Sequence, residues 1–181
     1  MGCLLELIYN LTVRVIFGRF LHMRPKIRVV GGVLIASTHP RWAFLTLGLK
    51  LRKVMVDPRR RAVRIFARYG WIFSVTRHVP FDAVLRVVYD YRDVNPLQHL
   101  PLAVYQELDL FTVSLDLRSG ERLVLCRFFG PGEFVNEHFL PDWVFWDEQL
   151  AVALTRGSQE SESRAYASAV AAAIGVPLGQ G

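Results

Sequence analysis

The sequence predicts a mainly β protein with helices: a bent antiparallel sheet, or a partly open barrel, capped by a C-terminal helix and preceded by an apolar N-terminal helix. Three observations lead there. Runs with a two-residue period recur between turn signals, as in Phe111, Val113, Leu115 and Leu117 against Thr112, Ser114 and Asp116. Near the C-terminus, Ala165, Tyr166, Ala169, Val170 and Ala173 fall at helical spacing, and Gly175 and Pro177 end the run. With 181 residues, 52% of them hydrophobic, the chain can bury a sheet face and a helix stripe in one core without staples.

The first segment, residues 1–24, is expected to be the apolar helix. Glu6, Asn10, Arg14 and Gly18 fall at successive four-residue steps and form one narrow polar stripe. Leu4, Leu5, Leu7, Ile8, Leu11, Val15 and Ile16 fill the remaining circumference, a face that needs its own domain, a second chain or a membrane surface to cover it. Glu6 and Arg14 make a spanning helix costly, and no basic stretch precedes the apolar run as a secretory signal would have. Residues 25–181 are then a single domain ending in a helix over 161–174.

Within that domain, "KIRVVGGVLIAS" holds one or two short strands around Gly31-Gly32, and "STHPRWAF" turns near Pro40. Asp57-Pro58 heads a turn into a strand with Val63, Ile65 and Ala67 on one face and Arg64, Phe66 and Arg68 on the other. Gly70 reverses the chain into "WIFSVTRHV", where Trp71, Phe73, Val75 and Arg77 share one parity. Pro80 cannot sit in a central strand. "PFDAV" is therefore a bend or short helical turn, anchored by Phe81 and Val84 and capped by Asp82 through backbone N–H groups. "LRVVYDYRD" resumes alternation, with Leu85, Val87, Tyr89 and Tyr91 against Arg86, Val88, Asp90 and Arg92. The segment from Asn95 to Glu107 reads as a loop, and Ser119-Gly120 turns the clearest hairpin of the chain. Trp143, Phe145 and Trp146 pack an insertion across the core before a short helix around Gln149 to Leu154.

The formal net charge is +6, carried mostly by arginine, and favours anionic partners. Two cysteines, Cys3 and Cys126, make no disulfide framework and are too few for a structural zinc site. Free thiols in a reducing, cytoplasmic compartment are expected, with the inner face of the membrane as a peripheral station. No phosphate loop, dinucleotide fingerprint, zinc-protease motif or serine elbow is present, and no cofactor is expected.

"RRAVRIFARYGWIFSVTRHVPFDAVLRVVYDY", "LFTVSLDLRSGERLVLCRF" and the helix Arg164–Ile174 together resemble a pleckstrin-homology-like domain of the bacterial kind over roughly residues 49–174. The resemblance implies a partly open barrel and a binding or scaffold module without chemistry of its own. Some members of that fold bind phosphoinositide headgroups with basic residues between early strands. Here the candidate anion or lipid contacts are Lys50, Arg52, Lys53, Arg59, Arg60, Arg61 and Arg64.

The expected function is thus a non-enzymatic interaction or scaffold module, membrane-peripheral or self-associating through a protein partner. Two other classes compete. Glu133, Glu137 and His138, with Asp142 nearby, offer an imidazole and carboxylates suited to Zn²⁺ or Mn²⁺ in a small enzyme or metal-binding protein. Phe134, Val135 and Phe139 between them equally suit a loop packed on the core, and that structural role is preferred. The Arg59–Arg64 turn suits a nucleic-acid binder if Phe66, Tyr69 and Trp71 are exposed as stacking platforms. These three aromatics are read first as core, which ranks nucleic acid below a membrane surface. His78 and Asp82, four apart across Pro80, are read as a strand end and a turn residue rather than a catalytic pair.

Overall fold

The computed structural model describes residues 24–93, 109–130 and 159–181. The predicted N-terminal helix, the loop from Asn95 to Glu107, the Trp143–Trp146 insertion, the short helix near Gln149 and the Glu133, Glu137 and His138 cluster all lie outside the described residues.

Among the described residues nine strands form two sheets. The first is an antiparallel meander of β1 (Pro25–Val30), β2 (Val33–Thr38), β3 (Lys50–Asp57), β4 (Ala62–Tyr69) and β5 (Phe73–Pro80), paired in that order. The second has the order β8-β7-β6-β9, from β6 (Val84–Asp93), β7 (Asp109–Leu117), β8 (Arg122–Gly130) and β9 (Leu178–Gln180). A short helix α1 (Pro40–Leu45) joins β2 to β3, and α2 (Gln159–Ile174) precedes β9. Among the described residues the sheets do not close into a barrel: β1 lies beside β8 without pairing to it.

Turn chemistry sets the meander. Gly31 and Gly32 both have positive φ, 59° and 82°, the geometry of a two-residue hairpin turn. At the β3–β4 turn the Asp57 carboxylate accepts from the backbone N–H of Arg59 at 3.0 Å and of Arg60 at 3.2 Å. The Ser119-Gly120 turn stands where predicted, between β7 and β8.

The core lies between the sheets, closed by α2. Val54, Val56, Val63 and Ile65 face Val87, Phe111, Val113, Leu115 and Leu125. The alternation predicted for β4 holds: Val63, Ile65 and Ala67 are buried. The turn after Pro80 is a single 3-10 turn over Phe81–Ala83, with Phe81 and Val84 buried as anchors. Asp82 does not cap it. Its carboxylate instead takes the Arg61 guanidinium at 2.8 Å, while its carbonyl accepts from Arg118 at 2.9 Å.

Two further expectations are corrected, on β6 and on α2, and two features are added, at β7–β8 and after the helix. A register irregularity between Val84 and Arg86 puts Val84 and Val87 in the core and leaves Leu85 exposed. A second, at Val113/Ser114, buries Leu125 and Cys126 together. The buried face of α2 is Ser163, Tyr166, Ala167, Val170, Ala171 and Ile174, rotated from the predicted stripe so that Ala165 and Ala169 face outward. After Gly175 and Pro177 the chain returns as β9, paired in parallel with Val87–Tyr89 of β6.

Candidate functional site

Charge is segregated along the chain. Residues 24–80 contain thirteen Lys and Arg against one acid, Asp57, a net of +12, so the rest of the sequence is net negative. This segment is the first sheet with α1.

The register decides where these cations point. In an antiparallel pair, directly opposed residues share a face. Arg28, Ile35, Met55, Arg64 and His78 form one row across β1 to β5, and Lys26, Ser37, Lys53, Phe66 and Thr76 form the next. Leu51, Arg68 and Ser74 form a third. All of these sit on the outward face, since the alternate positions Val54, Val56, Val63 and Ile65 are core. The outward face therefore presents Lys26, Arg28, Lys53, Arg64 and Arg68, with partly buried Ile35, Leu51, Met55 and Phe66 between them. None of the five cations is ion-paired among the described residues. The only acid in those strands, Asp57, is at the far end, engaged by its own turn and by Arg60.

The predicted anion site is thus divided three ways. Lys53 and Arg64 share the outward face. Lys50 and Arg52 have the opposite parity; Lys50 is exposed beside Tyr69, and Arg52 turns inward to donate to the Val124 carbonyl of β8. Arg59, Arg60 and Arg61 occupy the turn at the other end of β3 and β4, about 23 Å from Lys50 by strand rise. Two of these are engaged locally, Arg61 with Asp82 and Arg60 with Asp57.

At the Lys50 end stands a feature the sequence reading missed. Phe44 and Leu45 of α1, Leu47 and Leu49 after it, Trp71 and Ile72 of the β4–β5 turn, and Phe73 at the start of β5 are all exposed, reaching 79% for Phe44 and 82% for Ile72. The two connections are pinned together. The Trp71 indole N–H donates to the Leu47 carbonyl at 2.7 Å, and the Gly70 N–H donates to the Leu49 carbonyl at 2.8 Å. Leu47 and Trp71 both hold positive φ, 47° and 63°, a conformation that costs a non-glycine residue on the order of 1–3 kcal/mol. Gly48 packs against the indole: a Cβ there would lie 3.3 Å from Trp71 Nε1, on a backbone already at φ 71°. Tyr69 is 45% and Trp71 60% exposed, which corrects their assignment to the core; Phe66 is half-buried on the outward face.

His39 caps α1, its Nδ1 accepting from the Arg41 N–H at 3.2 Å. Burial lowers its pKa below the ordinary histidine value, and the charges of Arg24, Arg41 and Lys26 lower it further. The imidazole thus stands in a positive potential at this end of the fold.

No hydrogen bond or ion pair joins His78 to Asp82; each is exposed, and Asp82 is held by Arg61. Among the described residues no group of three or more His, Cys, Asp or Glu is placed to hold a metal ion. No described helix is long and apolar enough to cross a membrane. No protein-family model, curated protein or solved structure matches the chain.

Proposed function

We propose that this chain is a non-enzymatic interaction module that docks on an anionic membrane surface, at the cytoplasmic face, through the outward side of its first sheet. The observation that carries this is the segregation of charge: thirteen cations and one acid in residues 24–80, five of the cations on one face without ion-pair partners among the described residues. Near an anionic leaflet each such cation is worth on the order of 1 kcal/mol. Five on one face are therefore enough for measurable, salt-sensitive binding.

The same reading takes the two sheets and closing helix as a bacterial pleckstrin-homology-like arrangement. The order of elements from β3 to α2 supports it. β1, β2 and the parallel β9 are additions to that pattern. Nucleic acid is the less favoured anion. The triple-arginine turn lies at the end of the sheet away from the exposed aromatics, so the two do not form one stacking groove.

Reversing Lys53 and Arg64 to glutamate tests the proposal. Both lie on the outward face and neither is in the core, so the fold should survive, with an unchanged circular dichroism spectrum. The variant should lose at least about tenfold in binding to vesicles containing phosphatidylglycerol at about 0.1 M salt. Equal binding by parent and variant would remove the outward face from the account.

A further inference from the structure

Resting on the anionic-surface reading above, we propose that the apolar tip formed by α1, residues 46–49 and the β4–β5 turn inserts into the boundary between headgroups and acyl chains, and so anchors the module once charge has brought it to the bilayer. The occupant of this surface follows from its chemistry. Phe44, Leu45, Leu47, Leu49, Ile72 and Phe73 offer no hydrogen-bonding groups on their side chains. The one polar atom of Trp71 is spent on the Leu47 carbonyl. A polar or nucleic-acid partner finds nothing to recognise there. With Phe44, Ile72 and Phe73 between 71% and 82% exposed, the side chains project instead of lining a groove. A projecting apolar knob suits fluid acyl chains, which need no complementary pocket.

Charge supplies the second argument. Exposed Arg41 lies in α1 with Phe44, exposed Lys50 follows Leu49, and half-buried Arg68 reaches Gly48, so cations adjoin the knob and can meet lipid phosphates if its apolar side chains enter the roughly 5–10 Å below the headgroups. Arg68 is also the last cation of the outward face, so tip and face are continuous and meet one bilayer together.

Backbone geometry supplies the third. Leu47 and Trp71 are held at positive φ and the two connections are pinned to each other, yet the side chains so displayed stay exposed. Strain maintained to present a surface is the pattern of a pre-organised binding element.

The test uses the full-length chain with vesicles of phosphatidylcholine and about 30% phosphatidylglycerol, with and without brominated acyl chains. Brominated lipid should quench tryptophan fluorescence in the parent, and Trp71→Phe should remove most of that quenching even though Trp42, Trp143 and Trp146 remain. The double variant Phe44→Ser, Ile72→Ser should keep its melting temperature and its binding at about 0.1 M salt, but lose at least about tenfold in binding at about 1 M salt, where the Debye length is near 3 Å. Should the double variant fold poorly, Ile72→Ser alone carries the same comparison. Binding without quenching, or quenching indifferent to Trp71→Phe, overturns insertion while leaving the electrostatic reading intact. A parent that ignores anionic vesicles at either salt concentration overturns both. A parent of twice the chain mass in light scattering, reduced to monomer by the double variant, overturns insertion by assigning the tip to a second copy of the chain.

Discussion

Cys126 and Tyr166 are neighbours in the core where β8 meets α2, with the Arg52 guanidinium nearby. Burial raises the Cys126 thiol to about 11 and holds the Tyr166 hydroxyl well above its ordinary value, with Arg52 working weakly against both. A thiol in that state is inert, because the thiolate is the nucleophile. In a Cys3→Ser background, Cys126 should react with a thiol reagent at pH 8 at least about a hundredfold more slowly in native protein than in denaturant. Comparable rates would mean that this part of the core opens freely. Within "RLVLCRFF" the sequence offers Cys126 either as strand packing or as a strand's solvent-side residue. It lies within a local irregularity of the β7–β8 register, and alternation counted from Leu123 gives it the wrong face.

At the scale of elements, α1 makes a pH-dependent claim. The His39 cap requires an unprotonated Nδ1, and its pKa in the folded state is lowered. The unfolded chain therefore binds the extra proton first. Between the lowered pKa and the ordinary value near 6.5, stability rises with pH, and it is lost as pH falls through that window. Melting temperatures at about pH 5 and 7.5 should differ less in His39→Asn, which keeps a cap without titrating, than in the parent. An equal pH dependence would show that His39 contributes nothing to it.

The β7–β8 hairpin, the strand β4, the Asp57-Pro58 turn, the reversal at Gly70 and the closing helix were legible because each has a period or a turn residue that fixes it. α1 was not, since "PRWAFL" is too short for a helical period to register. β9 has three residues after a glycine and a proline, and its pairing with β6 is a long-range choice that no local pattern encodes. The tip was hidden for a related reason. "WIF" has the composition of a buried strand, but the turn at Gly70 takes in Trp71 and Ile72, and Phe73 opens β5 at its exposed end. The predicted basic set included Lys53 and Arg64, which the register puts on one face. It also joined to them arginines that the register places at the other end of the strands.

For the whole molecule the strongest signal was in the sequence all along, in the distribution of charge rather than in the net +6. Residues 24–80 carry a net +12 while the remainder of the sequence is net negative, so charge is segregated along the chain. The first sheet carries the unpaired face, and the apolar tip stands at its end. This polarity predicts orientation on a surface as well as affinity for it. The most direct measurement is flotation of the full-length chain with vesicles in which phosphatidylglycerol rises from none to about half of the lipid. The account predicts negligible partition onto neutral vesicles and a steep rise with anionic fraction. Partition that stays flat across the series, whether absent or equally strong on neutral lipid, would contradict it.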